Sequence, residues 1–268
     1  MRRFAARQDG RDLRDGTYHR LIMEYTPPQQ PDELGTLDGI AYALWLPFDK
    51  GPVPAVIILH GAGSQKENHV DYARAAVAHG FAALTFDNRG HGETEGDLGP
   101  SVIADMQKLV RFLADRPEVD ESRIAVRGSS MGGLLAIHLA ATSDAVAAVV
   151  AICPAAEWML IEDVRRVADG RPPREGSYLA AMRMDAGALV AWLGEHEVAD
   201  AVERLGSKPL LLIHARGDET VPVTHSEELY ERAAEPKRLL VLEGGDHRSA
   251  QHDAEVQGES LRWLARAM

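Results

Sequence analysis

The sequence is poor in cysteine, in long hydrophobic runs and in positive charge. Among its 268 residues it has one cysteine, Cys153, so no intramolecular disulfide can form and a thiolate metal cluster is excluded. No run of 18 apolar residues occurs, which argues against a membrane-spanning helix. Charged side chains between Arg7 and Asp15 interrupt the stretch where a signal peptide would have its apolar core. We therefore expect a cytoplasmic protein.

The shortage of positive charge limits the partners. Lys plus Arg number 29 against 41 Asp plus Glu, which gives a formal net charge of −12. A strongly acidic surface repels phosphate backbones and anionic lipid, so we expect neither nucleic acid nor a membrane as a partner. The hydrophobic content of 45% is ordinary, and the length suffices for one large domain with a buried core. Nothing in the sequence decides whether the chain is a monomer or a homodimer.

Short apolar runs alternate with amphipathic segments along most of the chain. Apolar runs predict a strand or hairpin at 34–46, and strands at 53–59, 81–86, 123–127, 145–152, 210–215 and 238–242. Apolar residues at helical spacing predict helices at 67–79, 101–115, 131–142, 224–234 and 249–267. This alternation is typical of a mostly parallel sheet with helices on both faces, the α/β class.

One interval breaks the alternation. Residues 154–208 separate two predicted strands by more than one helix requires, and Gly170 to Gly176, with two prolines, divides them. Their helical pattern predicts a small lid over the sheet. The predicted organisation is an N-terminal arm at 1–34, a core at 35–153 and 209–268, and this lid between the two core parts.

The strongest motif is Gly128-Ser129-Ser130-Met131-Gly132, between a predicted strand and a predicted helix. A Gly-x-Ser-x-Gly turn in that position is a nucleophile elbow, in which the glycines remove side chains that would collide with neighbouring backbone. The turn exposes the serine hydroxyl and directs the following backbone N–H towards an oxyanion. We therefore predict Ser130 as the nucleophile and the Met131 N–H as an oxyanion donor.

A serine hydroxyl needs a base, and the base needs an acid to orient it. Asp218 follows the predicted strand 210–215, and His247 follows the predicted strand 238–242. Both loops should lie at the same sheet edge as the elbow, where parallel sheets place their ligand sites. We predict His247 as general base and Asp218 as its orienting acid, with no metal and no cofactor.

Four neighbouring residues compete for these roles. Ser129 lies one place off the glycine frame, and Glu219 and His252 remain open as substitutes for the acid and the base. Asp246 adjoins His247, but adjacent residues rarely place their side chains to bond each other as a triad requires.

Three other histidines have structural interpretations. His138 lies within a predicted helix and favours packing, and His214 lies inside a strand and favours a core histidine with satisfied hydrogen bonds. His225 is expected in the first turn of a surface helix.

Two further elements of the site can be proposed. The loop His60-Gly61-Ala62-Gly63-Ser64 follows the first long predicted strand, and the backbone N–H of Ala62 is our candidate for the second oxyanion donor. His60 would then tie loops together. In the lid, Trp158, Met159 and Trp192 could line a substrate pocket, although packing of the lid against the core explains them equally well.

At this point the chain resembles a known superfamily. His60-Gly61, Asp87-Asn88-Arg89-Gly90-His91-Gly92, the serine elbow, Gly217-Asp218 with Val221-Pro222, and Gly245-Asp246-His247 occur in the expected order. They resemble bacterial α/β-hydrolases that include cinnamoyl and feruloyl esterases, dienelactone-hydrolase-like proteins and prolyl-oligopeptidase-type catalytic domains. The resemblance spans about residues 35–268 and implies an α/β-hydrolase fold with a Ser-His-Asp triad.

The chain also departs from parts of this group. Strict dienelactone hydrolases carry cysteine at the elbow, where this chain has Ser130. The large peptidases carry an N-terminal propeller, for which the residues before the hydrolase core are too few. We therefore expect a serine esterase acting on small or medium acyl or aryl esters. An aminopeptidase, amidase or thioesterase with the same triad stays open, as does a catalytically silent fold that binds a ligand.

Overall fold

A computed structural model describes residues 29–48, 51–174 and 177–268, and Pro31–Met268 form one compact unit. Most of the predicted arm at 1–34 lies outside the described residues. Within the described residues, no helix combines the length and the apolar character needed to cross a bilayer.

An eight-stranded sheet forms the centre of the unit, with strand order β1-β2-β4-β3-β5-β6-β7-β8. The hairpin β1/β2 is antiparallel, β2 also pairs antiparallel with β4, and β3 to β8 run parallel to one another. The strands are β1 (Glu33–Leu37), β2 (Ile40–Trp45), β3 (Val53–Leu59), β4 (Ala82–Phe86), β5 (Val119–Ser129), β6 (Val146–Ile152), β7 (Leu210–Ala215) and β8 (Lys237–Leu242). This confirms the predicted fold class.

The continuous apolar runs explain why the central strands are covered on both faces. In β3, Ile57 and Leu59 pack into one core cluster, while Val56 and Ile58 pack into a second cluster on the other face. Burying both faces requires helices on both sides, as parallel sheets generally show. Because β3, β5, β6, β7 and β8 run parallel, their carboxyl ends lie along one edge of the sheet.

Nine helices of the described residues cover the sheet and its edge. They are α1 (Val70–Ala78), α2 (Val102–Ala114), α3 (Met131–Thr142), α4 (Glu157–Ala168), α5 (Ala186–Glu195), α6 (Val198–Arg204), α7 (Val223–Arg232), α8 (Ser249–His252) and α9 (Ala254–Ala267). The predicted helix at 67–79 begins with a 3-10 turn at Lys66–His69. The closing helix predicted at 249–267 is two helices, because the Asp253 side chain accepts the N–H groups of Glu255 and Val256 and starts α9.

The segment between β6 and β7 contains α4, a 3-10 turn at Tyr178–Ala181, α5 and α6. Helix α4 packs against α5, whereas α6 packs against α3 and so covers the body of the domain. The strand-like segment around Met184 pairs with Leu98, and the N–H of Arg183 donates to the carbonyl of Gly90. These contacts anchor the segment to the loop that follows β4.

Candidate active site

The elbow joins β5 to α3 through a strained residue. Ser130 has φ 56° and ψ −124°. Residues other than glycine rarely adopt a positive φ. Its N–H donates to the carbonyl of Ile152, and its own carbonyl accepts from Gly133, Leu134 and Ala155. The backbone network holds the strained turn, and such strain is characteristic of functional sites.

Steric contact explains the glycines of the motif. A Cβ atom at Gly128 would overlap the carbonyl of Gly132 across the turn. A Cβ atom at Gly132 would overlap the carbonyl of Leu59 and lie 2.6 Å from the carbonyl oxygen of His60. The missing side chains therefore allow α3 to begin against the end of β3, which brings the elbow beside the loop that follows β3.

The predicted acid and base are in contact. Nδ1 of His247 donates to Oδ2 of Asp218 at 2.7 Å, and both side chains are buried. The other carboxylate oxygen of Asp218 accepts the N–H groups of Thr220 and Val221, each at 2.8 Å. The loop after β7 thus holds one carboxylate oxygen of Asp218 in place, while the other oxygen contacts the imidazole of His247.

The surroundings of Asp218 keep it ionised. Burial alone would raise its pKa, but hydrogen bonds from His214, His247 and the Val221 N–H outweigh burial and hold this pKa well below its ordinary range. His214 is the core histidine that the sequence predicted, with Nδ1 2.7 Å from the Ser226 hydroxyl and Nε2 3.0 Å from the Val221 carbonyl. A permanently charged carboxylate can stabilise an imidazolium when one forms.

The predicted base, His247, has one ring nitrogen without a partner. Among the described residues, neither Nε2 of His247 nor the Ser130 hydroxyl has a hydrogen-bond partner. Contacts at the end of β6 connect the two loops. The Ser130 N–H donates to the carbonyl of Ile152, and Sγ of the next residue, Cys153, lies within 4.8 Å of a carboxylate oxygen of Asp218 and a ring nitrogen of His247. The nitrogen opposite the Asp218 contact is the one that a general base uses.

The competing residues have other surroundings. Glu219 is exposed, and His252 pairs with Asp71 at 2.9 Å. The Asp246 carboxylate accepts the N–H groups of Arg248 and Ser249, so it shapes the loop around His247.

Two further histidines lie outside the Asp218–His247 pair. His138 is buried in α3 against Trp192, which fits its predicted packing role. His225 does lie in the first turn of α7, but it is buried and not at the surface.

The two backbone N–H groups predicted as oxyanion donors are not used in the backbone hydrogen bonding of the described residues. Within the described part of the chain, the N–H groups of Ala62 and Met131 donate to no acceptor. His60 ties two loops together as predicted, because its Nε2 accepts the Asn88 N–H at 2.9 Å and its Nδ1 lies 2.8 Å from the Gly61 carbonyl. Burial is the main reason that the pKa of His60 falls to about 4, so the ring stays neutral and can accept.

Sequence reasoning missed the group that supports this loop from the other side. Nε2 of His91 accepts the N–H of Gly63 at 3.2 Å, while Nδ1 of His91 lies 3.1 Å from the carbonyl of Arg89. In the same loop, the buried Asp87 accepts from the N–H and the ammonium of Lys66. The sequence presents the motif at 87–92 only as part of the resemblance, because its pairing with residues 63 and 66 requires the folded chain.

Cys153, Asp218 and His247 form a compact, buried group of donor atoms, but their chemistry does not fit a metal. Nδ1 of His247 and Oδ2 of Asp218 already form a hydrogen bond with each other. Burial is the largest cause of a raised pKa for the Cys153 thiol, which therefore stays protonated and is a poor ligand. Cys153 behaves as the buried small residue that the sequence predicted.

A small apolar pocket, with a volume of about 20 Å³, lies between α3 and the lid segment. Met131 and Leu135 of α3 line one side, and Leu160 of α4 and Trp192 of α5 line the other. Of the three predicted lid residues, only Trp192 reaches this pocket; the Trp158 side chain is 58% exposed, and Met159 does not line the pocket either. Their role in substrate binding stays a prediction.

The lid also supplies a residue that sequence reasoning did not select. The ring of Tyr178 lies roughly parallel to the imidazole of His247, with ring centroids 6.4 Å apart. A Cβ atom at Gly63 would lie 2.6 Å from the Tyr178 carbonyl, so the lid turn also packs on the loop that carries Ala62.

Known proteins share this architecture. A sequence family described as "Serine aminopeptidase, S33" matches residues 50–171. The uncharacterized protein YfhR of Escherichia coli O157:H7 is 28% identical over 229 residues, covering 82% of this chain and 74% of its own length. The 2,6-dihydropseudooxynicotine hydrolase of Paenarthrobacter nicotinovorans is 28% identical over 253 residues, covering 90% and 65%. The structure of Est1E from Butyrivibrio proteoclasticus with ferulic acid matches with a TM-score of 0.68 at 22% identity, covering 87% of this chain and 98% of that one.

The chain has the α/β-hydrolase fold. The order of the motifs had implied this fold, and the sheet topology and the comparisons confirm the resemblance. The matching family and the hydrolase relative support a serine hydrolase in general.

Proposed function

We propose that this chain is a serine esterase that cleaves carboxylic esters of small or medium acyl or aryl groups through Ser130, His247 and Asp218. The observation that carries the proposal is the 2.7 Å contact between Asp218 and His247. It leaves the opposite imidazole nitrogen without a partner, at the same sheet edge that carries the strained serine elbow. We also propose that the substrate is a small molecule, that the protein is cytoplasmic and that it needs no cofactor.

The mechanism is acyl transfer in two steps. Nε2 of His247 takes the Ser130 proton as Oγ attacks the ester carbonyl, and Asp218 stabilises the imidazolium. The N–H groups of Ala62 and Met131 receive the negative oxygen of the tetrahedral intermediate. His247 then passes the proton to the leaving alkoxide, which departs as the alcohol. Water, deprotonated by the same imidazole, attacks the acyl-enzyme and releases the acid and Ser130.

The first experiment is hydrolysis of p-nitrophenyl esters from acetate to decanoate by the wild type and Ser130→Ala. We expect Ser130→Ala to lose at least about 10³-fold in kcat/KM, because the nucleophile is gone. Ser129→Ala is the matched control, since Ser129 is the adjacent serine on β5 and should retain activity within a few-fold. Equal loss in both variants would contradict the assignment of Ser130.

An amidase, aminopeptidase or thioesterase would use the same three groups. Of these, aminopeptidase activity is the second candidate, because the chain matches a family described as serine aminopeptidases. Turnover of aminoacyl anilides and acyl thioesters beside the esters separates the three activities. A silent ligand-binding fold predicts no labelling of Ser130 by a small fluorophosphonate, whereas every active form predicts labelling.

A further inference from the structure

Arg127 is a buried cation on the strand that leads to the nucleophile. It lies on β5 three residues before Ser130, and its side chain is fully buried. Within the described residues no carboxylate pairs with it, and its Nε has no hydrogen-bond partner. Burial is the main cause that lowers the pKa of this guanidinium. A buried charge without a counter-ion destabilises a fold, so stability does not explain why Arg127 is there.

The contacts of Arg127 reach two segments that lead to the candidate site. One terminal nitrogen donates to the carbonyl of Gln251 in α8 at 3.0 Å. The other lies 3.4 Å from Nδ1 of His69, in the turn that connects the loop after β3 to α1. The guanidinium also lies over the ring of Tyr72, 4.6 Å from the ring centroid. One side chain of β5 thus contacts the helix that follows His247 and the turn that follows the loop of Ala62.

Helix α8 continues directly from the loop that carries His247. The Asp246 carboxylate accepts the N–H groups of Arg248 and Ser249, and the Ser249 hydroxyl accepts the N–H of Asp246 at 2.7 Å. His247 therefore lies inside a turn that is closed by hydrogen bonds onto the start of α8. A displacement of α8 must move the backbone of His247 with it.

The carboxyl end of α8 is held against the domain by polar contacts. The carbonyl of Gln251 accepts from Arg127 and, at 3.2 Å, from Nε2 of Gln257 in α9. The next residue, His252, pairs with Asp71 at 2.9 Å, but both side chains are partly exposed, and such pairs contribute little. Of these anchoring groups, Arg127 is the one on β5, so it relates the position of α8 directly to the nucleophile strand.

We propose that Arg127 is a positioning residue, which holds α8 against β5 and thereby sets the distance between His247 and Ser130. This inference rests on the proposed serine hydrolase function and adds a residue that touches neither the substrate nor the reacting atoms. Proton transfer from Ser130 requires the imidazole within hydrogen-bond reach, and a displacement of about 1 Å can lower a rate by about 10²-fold.

The test compares Arg127→Met with the wild type on the p-nitrophenyl ester that the wild type hydrolyses fastest. We expect kcat to fall by about tenfold to a hundredfold with little change in KM, because the base is displaced while substrate binding is retained. The rate at which a small fluorophosphonate labels Ser130 should fall by a similar factor, since His247 also assists that reaction. The free energy of unfolding in urea should stay the same or rise, because the variant removes an unpaired buried charge.

Lys208→Met is the matched control, because Lys208 is another cation that donates to backbone carbonyls. Its ammonium binds those of Ala140 and Ser143, each at 2.6 Å, at the end of α3 that lies far from Ser130. Lys208→Met should therefore lower the free energy of unfolding and leave kcat within about twofold of the wild type. The two variants separate an effect on the site from an effect on stability.

Arg127→Lys is the conservative variant. It keeps the charge and one donor but loses the fork of the guanidinium, so its kcat should lie between those of Arg127→Met and the wild type, about threefold to tenfold below the wild type. This variant carries the test if Arg127→Met does not fold.

Wild-type kcat and labelling rate in Arg127→Met or, if it does not fold, in Arg127→Lys would overturn the positioning role and leave the serine hydrolase intact. A change confined to KM, or a loss of activity that only follows a loss of stability, would overturn it as well. Absence of both labelling and turnover in the wild type would overturn both proposals.

Discussion

The carboxylate of Asp218 accepts a hydrogen bond from Nδ1 of His247 at 2.7 Å, across 29 positions of the chain. The two residues stand at the carboxyl ends of β7 and β8, which are neighbouring parallel strands. Strand pairing therefore brings the loops together, and the N–H groups of Thr220 and Val221 fix the carboxylate from the other side. The contact between Asp218 and His247 therefore follows from the pairing of the two strands.

Replacing Asp218 tests its proposed role in orienting His247. Asp218→Asn should lower kcat by about 10³–10⁴-fold, because the amide can donate to Nδ1 and then stabilises the wrong imidazole tautomer. Glu219→Gln is the matched control, since Glu219 is the next residue and is exposed; its kcat should stay within about twofold. Steady-state kinetics on the best ester measures both. Comparable losses in the two variants would show that Glu219 shares the role.

The loop that carries Ala62 gives a second prediction. His91→Leu removes the acceptor for the Gly63 N–H and should lower kcat by about tenfold or more with little change in KM, because the loop that carries Ala62 loses its support. His91→Gln keeps an acceptor and should recover part of the loss. A change confined to KM, or equal activity of all three proteins, would contradict a positioning role for His91.

The elbow glycines give a prediction on stability. Gly132→Ala should lower the free energy of unfolding by about 1–3 kcal/mol and abolish activity, because the new methyl group meets the end of β3. The control is Gly194→Ala in α5, where a Cβ atom meets nothing within 4 Å. This variant should raise the free energy of unfolding by about 0.5 kcal/mol, because glycine inside a helix is less favourable than alanine. Urea denaturation measures both. The idea fails if Gly132→Ala is as stable as the wild type.

Buried histidines predict a loss of stability in mild acid. Burial is the first cause that lowers the pKa of His60 and of His138 to about 4, against about 6.5 in the unfolded chain. The unfolded state therefore takes up protons first, so these residues cost no stability above pH 6.5 and destabilise the fold as the pH falls from 6.5 towards 4. Each contributes a slope of about 1.4 kcal/mol per pH unit.

The measurement is the free energy of unfolding between pH 7 and pH 4.5. His138→Leu should reduce the slope in this range, because the variant lacks one of the two buried imidazoles. A slope that is unchanged in His138→Leu would show that its protonation is not coupled to unfolding.

The sequence determined the fold class and the candidate triad for identifiable reasons. Apolar runs long enough for strands, alternating with amphipathic segments, leave few architectures besides a parallel sheet covered on both sides. Glycines on both sides of Ser130, and polar residues directly after two apolar runs, are local signals. These signals can be interpreted without knowledge of the packing, because the carboxyl ends of parallel strands must lie along the same edge of the sheet.

Choices between neighbouring candidates required the tertiary structure. Glu219 and Asp218 differ by one position, yet only Asp218 turns inwards to His247. The position of His252 in the sequence did not exclude it as the base. Its contact with Asp71, at the beginning of α1, is visible only in the tertiary structure.

The lid shows the same division most clearly. Its sequence predicted helices and two tryptophans in comparable surroundings, but the packing of α4 and α5 exposes Trp158 and places Trp192 in the pocket. Tyr178 and His91 reach the site through contacts with Gly63 and His247 that no local pattern encodes. The sequence by itself therefore determined which elements form and where the strands end. Only the packing of those elements decided which face of each helix and loop meets the site, because that depends on contacts between residues far apart in the chain.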